Sequence, residues 1–270
     1  MRSCKSLLLL ALALALLIAG TSDGADGGRA GYEQGVQLGA QGKFPEARAA
    51  FEQSLKSAPG GAARNCLGVL DDIQGRRIKE QTGIHLFRAF AYFNGFQTDA
   101  AIQELNRAAE LDPKYALTYS HRGDAWADKK DLPKALADYT RALEIDPRYA
   151  AGYLHRGNAY ASQSQFDQAI ADYSRALEVN PRSPQALYSR GNAYAETGRY
   201  DQALADYDQL LALDPGYGHA YVRKGLACEK AGRRQEALAA YRAYLKNAVS
   251  PDPRQVQFVK DKIQALEKTP

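Results

Sequence analysis

Tyr153-Leu-His-Arg156-Gly157-Asn158-Ala159-Tyr160, continued by Ala169-Ile170-Ala-Asp172-Tyr173 and closed by Asn180-Pro181, is the stretch whose reading decides the fold. Moved back by 34 residues it returns as Tyr119, Arg122-Gly123, Ala125-Trp126, Ala135-Leu136, Asp138-Tyr139 and Asp146-Pro147. Moved forward by 34 it returns as Leu187, Arg190-Gly191, Ala193-Tyr194, Ala203-Leu204, Asp206-Tyr207 and Asp214-Pro215. A fixed period of this size marks a chain built from small stacked units, each unable to bury its apolar face alone.

The period and the residue types in it resemble the tetratricopeptide repeat (TPR) family from about Gly31 to about Leu245. The resemblance implies an all-α, right-handed α-solenoid of helix–turn–helix repeats, with the first helix of each pair lining a concave groove. It names no ligand, because the repeat is defined by how its helices fit together.

Working outward, Tyr32 to Pro59 reads as a first repeat, with helices predicted at about 31–42 and 45–57 from the apolar spacing. Residues 62–115 are one period plus a surplus. Their second half, Ala101, Leu105, Ala108, Leu111 and Asp112-Pro113, is recognisable, and a helix from about Ile84 to Phe96 precedes it. Asn65 to Ile73 looks like one more helix, read as part of a degenerate or extended repeat. Four regular repeats occupy about 116–247, and Asp-Pro or Asn-Pro ends all but the last, since proline cannot continue a helix. Pro251-Asp-Pro253 then opens a helix over about Arg254–Lys268, apolar on one face through Val256, Val259, Ile263 and Leu266. In the region 248–270 this is the polar-faced cap that a stack needs at its open end.

The N-terminus has a different character. Met1-Arg-Ser-Cys-Lys5-Ser is basic, Leu7 to Ala19 is uninterrupted apolar, and Gly20 to Gly28 is small and polar. That is the layout of a secretory signal peptide, assigned here to residues 1–24, with residues 25–61 forming the N-terminal repeat. The apolar run is shorter than the ~20 residues a membrane span requires. Export to a periplasm or to the exterior is therefore expected, the alternative being an uncleaved N-terminal anchor. Cys66 and Cys228 remain after the leader, too far apart along a stack to meet the ~7 Å that a disulfide demands, and both read as small buried hydrophobes.

Formal net charge is +4, and Arg2 and Lys5 of the leader supply part of it. No basic run longer than pairs such as Arg76-Arg77 and Arg233-Arg234 follows, so a nucleic-acid interface is not expected. The chain lacks a Gly-rich phosphate loop, a nucleophile elbow and a His-Glu-x-x-His motif. His121 and His155 share a slot in adjacent units, which gives two ligands and no metal site. No cofactor, no metal and no catalytic residue is expected. An enzyme would have to place its chemistry in 62–97, where Asp71, Asp72 and His85 are the candidates.

Comparing the repeats with one another separates two sets of polar residues. Arg88, Arg122, Arg156 and Arg190 stand sixteen residues before Glu104, Asp138, Asp172 and Asp206. Where the slot holds Gln34 or Lys224, the later residue is Ala50 or Ala240. Arg122 with Asp138, Arg156 with Asp172 and Arg190 with Asp206 are thus predicted as ion pairs inside a unit, suited to arginine's planar fork. The groove slots implied by the resemblance hold His121, Asp124, Leu154, His155, Asn158, Tyr188, Asn192, Arg223 and Leu226. Mapping the carboxylate clamp of some chaperone adaptors onto consecutive units matches only Asn158 and Arg223. The expected function is a non-catalytic exported scaffold that binds a peptide or partner protein in its groove; a self-assembling structural protein is the alternative.

Overall fold

The computed structural model describes residues 25–58, 61–249 and 252–268, and every regular element among them is a helix. The signal-peptide reading of residues 1–24 lies outside the described residues. The helices divide into two units that meet in sequence between Pro113 and Lys114.

The first unit holds α1 (Ala25–Ala40), α2 (Phe44–Ser57), α3 (Gly61–Gln74), α4 (Glu80–Asn94) and α5 (Thr98–Leu111). α1 pairs with α2 and α4 with α5, while α1 also lies along α4. α3 belongs to neither pair and rests mainly on α2. The core between the pairs is aromatic, with Phe51 and Phe87 stacked at 5.9 Å and both fully buried. The apolar spacing predicts α1 from about residue 31, yet it begins at Ala25. Small residues make the extra turns possible. A Cβ on Gly28 would stand 2.4 Å from that of Ala58, and the Gly28 carbonyl accepts a 2.6 Å bond from the buried Ser54 hydroxyl.

The second unit is regular. Its hairpins are α6 (Ala116–Asp128) with α7 (Leu132–Ile145), α8 (Ala150–Ser162) with α9 (Phe166–Val179), α10 (Pro184–Glu196) with α11 (Tyr200–Leu213), and α12 (Gly218–Lys230) with α13 (Arg234–Asn247). α14 (Pro253–Lys268) packs on α13. First helices of successive hairpins touch one another, so α6, α8, α10 and α12 form one face.

Why the glycine recurs in mid-helix is now explicit. A Cβ on Gly157 would fall 2.7 Å from the ring of Tyr173, and one on Gly225 would fall 2.4 Å from that of Tyr241. Those tyrosine rings are buried to within 3% exposure, filling the space the glycines leave. The gain from burying a ring of this size exceeds the ~1 kcal/mol that glycine costs in a helix. On α14, Val259 is fully buried and Val256, Ile263 and Leu266 pack beside it, while Phe258 faces outward.

Cys66 on α3 and Cys228 on α12 are both buried free thiols. Burial pushes the Cys66 thiol up to about 12, partly offset by a hydrogen bond with Tyr32. Among the described residues, no helix is long and apolar enough to cross a membrane.

Candidate functional site

Two polar rails run along the second unit, each repeating with the period of the helices. The first is made of guanidinium groups. Arg156 Nε and Nη2 donate to Asp172 at 2.8 Å each, and Arg190 binds Asp206 in the same fork at 2.8 and 2.7 Å. Arg122 binds Asp138 at 2.8 and 2.7 Å. The aspartates are between 4% and 7% exposed, so each charge is desolvated and held by its arginine. The hydrogen bonds it donates to Asp138 raise the Arg122 guanidinium above its usual range. The third nitrogen of the fork reaches back: Arg156 Nη1 donates to Thr140 at 3.2 Å and Arg190 Nη1 to Ser174 at 3.1 Å, each on the preceding hairpin. In the next hairpin Lys224 pairs with Asp208, which occupies the place of Thr140 and Ser174. The acid missing at Ala240 has therefore moved to the preceding repeat.

The first unit departs from this rule. Glu104 accepts from Arg107 at 2.9 Å and bonds to His85 Nδ1 at 2.7 Å, while Arg88 stands 4.0 Å away. Glutamate is one methylene longer than aspartate, so its carboxylate overshoots the Arg88 fork and meets two nearer donors. Arg88 keeps a long ion-pair contact with Glu104 but not the two-pronged fork, and His85 is the nearer partner of Glu104.

The second rail is made of tyrosine hydroxyls. Tyr173 donates to Asn158 Oδ1 at 2.8 Å, Tyr207 to Asn192 Oδ1 at 2.8 Å and Tyr139 to Asp124 Oδ1 at 2.9 Å. Each ring rises from a second helix, and its hydroxyl comes out on the face formed by the first helices. Each also meets the first helix of the next hairpin. The Tyr139 ring is 5.8 Å from the His155 ring, Tyr173 is hydrogen-bonded with Ser189, and the Arg223 charge acts on Tyr207. Burial raises all three hydroxyls above the usual tyrosine value, Tyr173 to about 12, so they remain protonated donors.

At the first of these three nodes the polar groups are charged. Asp124 Oδ1 is 2.9 Å from His155 Nδ1, and its Oδ2 is 3.3 Å from His121 Nδ1. Burial works against the Asp124 charge. Hydrogen bonds from both histidines, and then their charges, outweigh it and hold the carboxyl well below the usual range. Burial likewise opposes the His155 cation, and the Asp124 hydrogen bond and charge raise it. The two histidines that share a slot in adjacent units thus share one carboxylate. Among the described residues, no group of His, Cys, Asp and Glu is arranged to hold a metal ion.

Beside this node lies a pocket of about 420 Å³. Ala127, Leu132 and Ala159 supply apolar wall, and Asp124, Tyr139, His155, Asn158, Ser162 and Lys130 supply polar groups. Lys130 sits at the hairpin turn with φ of 62° and has no acidic partner among the described residues. Asn158, which lines the pocket, has its carbonyl oxygen occupied by Tyr173. The site can offer hydrogen-bond donors, the Lys130 ammonium and the Asp124–His155 pair beside a small apolar wall.

Of the predicted groove residues, His121, Asp124, His155 and Asn158 come together here, and Asn192 repeats the Asn158 arrangement two helices on. Leu154, Tyr188 and Leu226 do not stand clear of the protein. They are half-buried against the core between hairpins, with Tyr188 5.5 Å from the Tyr217 ring. Arg223 is exposed and hydrogen-bonded with Tyr188. Lys130, Leu132 and the three tyrosine hydroxyls are contributors that the sequence reading leaves out. Their signal was available: Asp124, Asn158 and Asn192 each stand fifteen residues before a tyrosine.

Family models bear on this architecture directly. The model described as Tetratricopeptide repeat matches residues 32–76, 154–217 and 190–253, more than half of the chain. The chain belongs to the tetratricopeptide repeat family. Further repeat models match residues 123–164 and 83–115. Between the matched segments of the first unit lie Arg77 to Thr82, where α3 hands over to α4. Comparison with curated proteins returned no match.

Among solved structures this TPR chain is similar to MamA, with a TM-score of 0.56 at 25% identity over 59% of this chain and 93% of that one. It is similar to YrrB, described as a TPR protein with an unusual peptide-binding site, with a TM-score of 0.57 at 20% identity over 72% of this chain and 97% of that one. It is also similar to PilW, described as a widely conserved type IV pilus biogenesis factor. There the TM-score is 0.59 at 20% identity, over 69% of this chain and 89% of that one. At their identity, YrrB and PilW speak for the shared fold alone.

Proposed function

We propose that this protein is a non-catalytic, exported scaffold that binds a segment of a partner protein along the α6–α8–α10–α12 face. The observation that carries the reading is the pocket beside Asp124, His155 and Asn158. There the Asn158 amide is held by the buried Tyr173 hydroxyl and Asp124 by that of Tyr139, and both share the pocket with Lys130 and the apolar Ala127, Leu132 and Ala159. Extended peptides expose backbone carbonyls at regular intervals, which a periodic row of donors can match. Asn158 and Asn192 are such a row, one period apart. Residues 1–24 act as a cleaved signal peptide that takes the chain to a periplasm or the exterior. The family is one of packing modules, which supports a binding role over chemistry.

Capture from the protein's own envelope extract tests this. The mature chain is compared with a form carrying Asn158→Ala, Asn192→Ala and Arg223→Ala. Loss of a bound partner from the triple variant is expected, and capture of the same proteins by both forms overturns the groove reading. Sequencing the N-terminus of the mature protein tests export: a start between Ala19 and Ala25 is expected, and an intact Met1 refutes cleavage.

Self-association is a second reading, favoured by the exposed Phe258, Leu245 and Val249 near the C-terminal end. Sizing chromatography over a concentration series decides it, since a monomer throughout excludes it.

A further inference from the structure

The pocket beside Asp124 is walled by small residues. One and two periods after Leu132 stand Phe166 and Tyr200, and after Ser162 stand Glu196 and Lys230. Its polar groups differ as well. The following junction has Asn158 in the place of Asp124 and Ser189 in that of His155, and Tyr173 is hydrogen-bonded with both. Neutral groups thus suffice to satisfy a buried tyrosine hydroxyl. Packing does not call for the ionisable set that surrounds Tyr139.

That set is centred on Asp124, 2.9 Å from His155 Nδ1 and 3.3 Å from His121 Nδ1. Asp128 follows one turn later on α6 and feels the Asp124 charge, and Lys130 lines the pocket from the turn before α7. Tyr139 of α7 and Tyr149 before α8 also meet Asp124 and stay neutral, since burial raises both hydroxyls. On α9 and α11 the carboxylates Asp172 and Asp206 are taken by Arg156 and Arg190. Histidine is the side chain whose charge changes between about pH 5 and 8. With both imidazoles neutral, Asp124 and Asp128 outnumber Lys130 by one charge. With both protonated, three cations outnumber two carboxylates. The sign of the local charge therefore reverses with pH.

We propose that this pocket seats an acidic side chain of the bound segment and that pH controls the seat, which holds the carboxylate while His155 is protonated and releases it as His155 loses its proton. The inference rests on the pocket being part of the partner-binding face. Burial opposes the His155 cation, but the Asp124 hydrogen bond and charge outweigh it, so the proton leaves above the ordinary 6.5. Asp124 stays ionised throughout, because hydrogen bonds from both histidines outweigh its burial. Burial and then the Asp124 charge raise the Asp128 carboxyl, which makes the pocket less negative in acid and so acts in the same direction.

The test is a methyl NMR titration of the full chain, ¹³C-labelled at Ala and Leu, at about pH 5.5 and about pH 8 and one ionic strength. A glutamate side chain is ionised at both values. The probes are acetyl-Gly-Glu-Gly-NH₂, its lysine counterpart and its neutral glutamine counterpart, read at the Ala127, Leu132 and Ala159 methyls. The Kd of the glutamate peptide should be roughly threefold to fivefold lower at the acid value, the upper range of an exposed charge pair. The lysine peptide should show the opposite order, and the glutamine peptide should bind alike at both. His155→Gln should remove most of the pH preference and leave binding of the glutamine peptide in place. A glutamate peptide that binds equally at both pH values, a lysine peptide with the same trend, or a His155→Gln chain that keeps the full preference overturns the proposal. In those cases shifts caused by the glutamine peptide leave the groove reading standing. If no peptide moves these methyls at either pH, the pocket reading falls together with the proposal.

Discussion

The Tyr173 hydroxyl donates to Asn158 Oδ1 at 2.8 Å, and the ring that carries it rests on Gly157, the residue before that asparagine. One side chain thus fills the gap over the glycine and fixes the orientation of a surface amide. Structure and recognition share a residue here, and substitutions can separate them.

Tyr173→Phe keeps the ring and removes the bond. We expect a stability loss of about 1 kcal/mol, the usual net value of one hydrogen bond. The Asn158 amide is then free to rotate, so partner capture should weaken more than stability does. Urea denaturation beside the capture assay checks this. Capture unchanged at reduced stability would mean that Asn158 orientation does not matter.

Asp172→Ala leaves the Arg156 guanidinium, which is 20% exposed, without its fork partner. A cost of about 3 kcal/mol is expected, because an unpaired charge remains half-desolvated. The double variant Arg156→Leu/Asp172→Leu should be less destabilised than Asp172→Ala alone. Thermal and urea unfolding of the three chains give the comparison, and a double variant worse than the single would show the pair to be a net source of stability.

The pH dependence follows from Asp124 and His155. His155 is raised above its ordinary 6.5, so its contribution is complete below that value and lost as pH rises through the folded value. Asp124 is lowered from 3.8, so its contribution is present above that value and lost only in strong acid. Both act between about pH 4 and 6.5. The groups facing them are His121, Tyr139, Asp128 and Lys130, of which Tyr139 stays protonated throughout this window. Melting temperature should therefore fall between pH 6 and pH 8.5 in the parent chain. His155→Gln should flatten that fall. An equal slope in both would assign the effect to other groups.

Much of the fold was legible because the chain can be compared with itself. Gly123, Gly157, Gly191 and Gly225 recur only because Tyr139, Tyr173, Tyr207 and Tyr241 need their space. The Arg122, Arg156 and Arg190 pairings were legible because acid and base appear together at one spacing. Other features were hidden for physical reasons. A tyrosine on a buried stripe reads as core, and its hydroxyl travels a full ring away from the backbone that sets the pattern. Lys224 looked unpaired because its acid, Asp208, stands in the repeat before it rather than sixteen residues later. The position of α3 was out of reach too, since a helix that occurs once has no second copy to compare.

The backward reach of Arg156 to Thr140, of Arg190 to Ser174 and of Lys224 to Asp208 gives the second unit a direction. Each hairpin leans on a group that lies earlier in the chain. During synthesis, which proceeds from the N-terminus, every such anchor leaves the ribosome before the cation that grips it. The growing end is always the dependent one, so the unit can be laid down hairpin by hairpin without waiting for residues still to be translated.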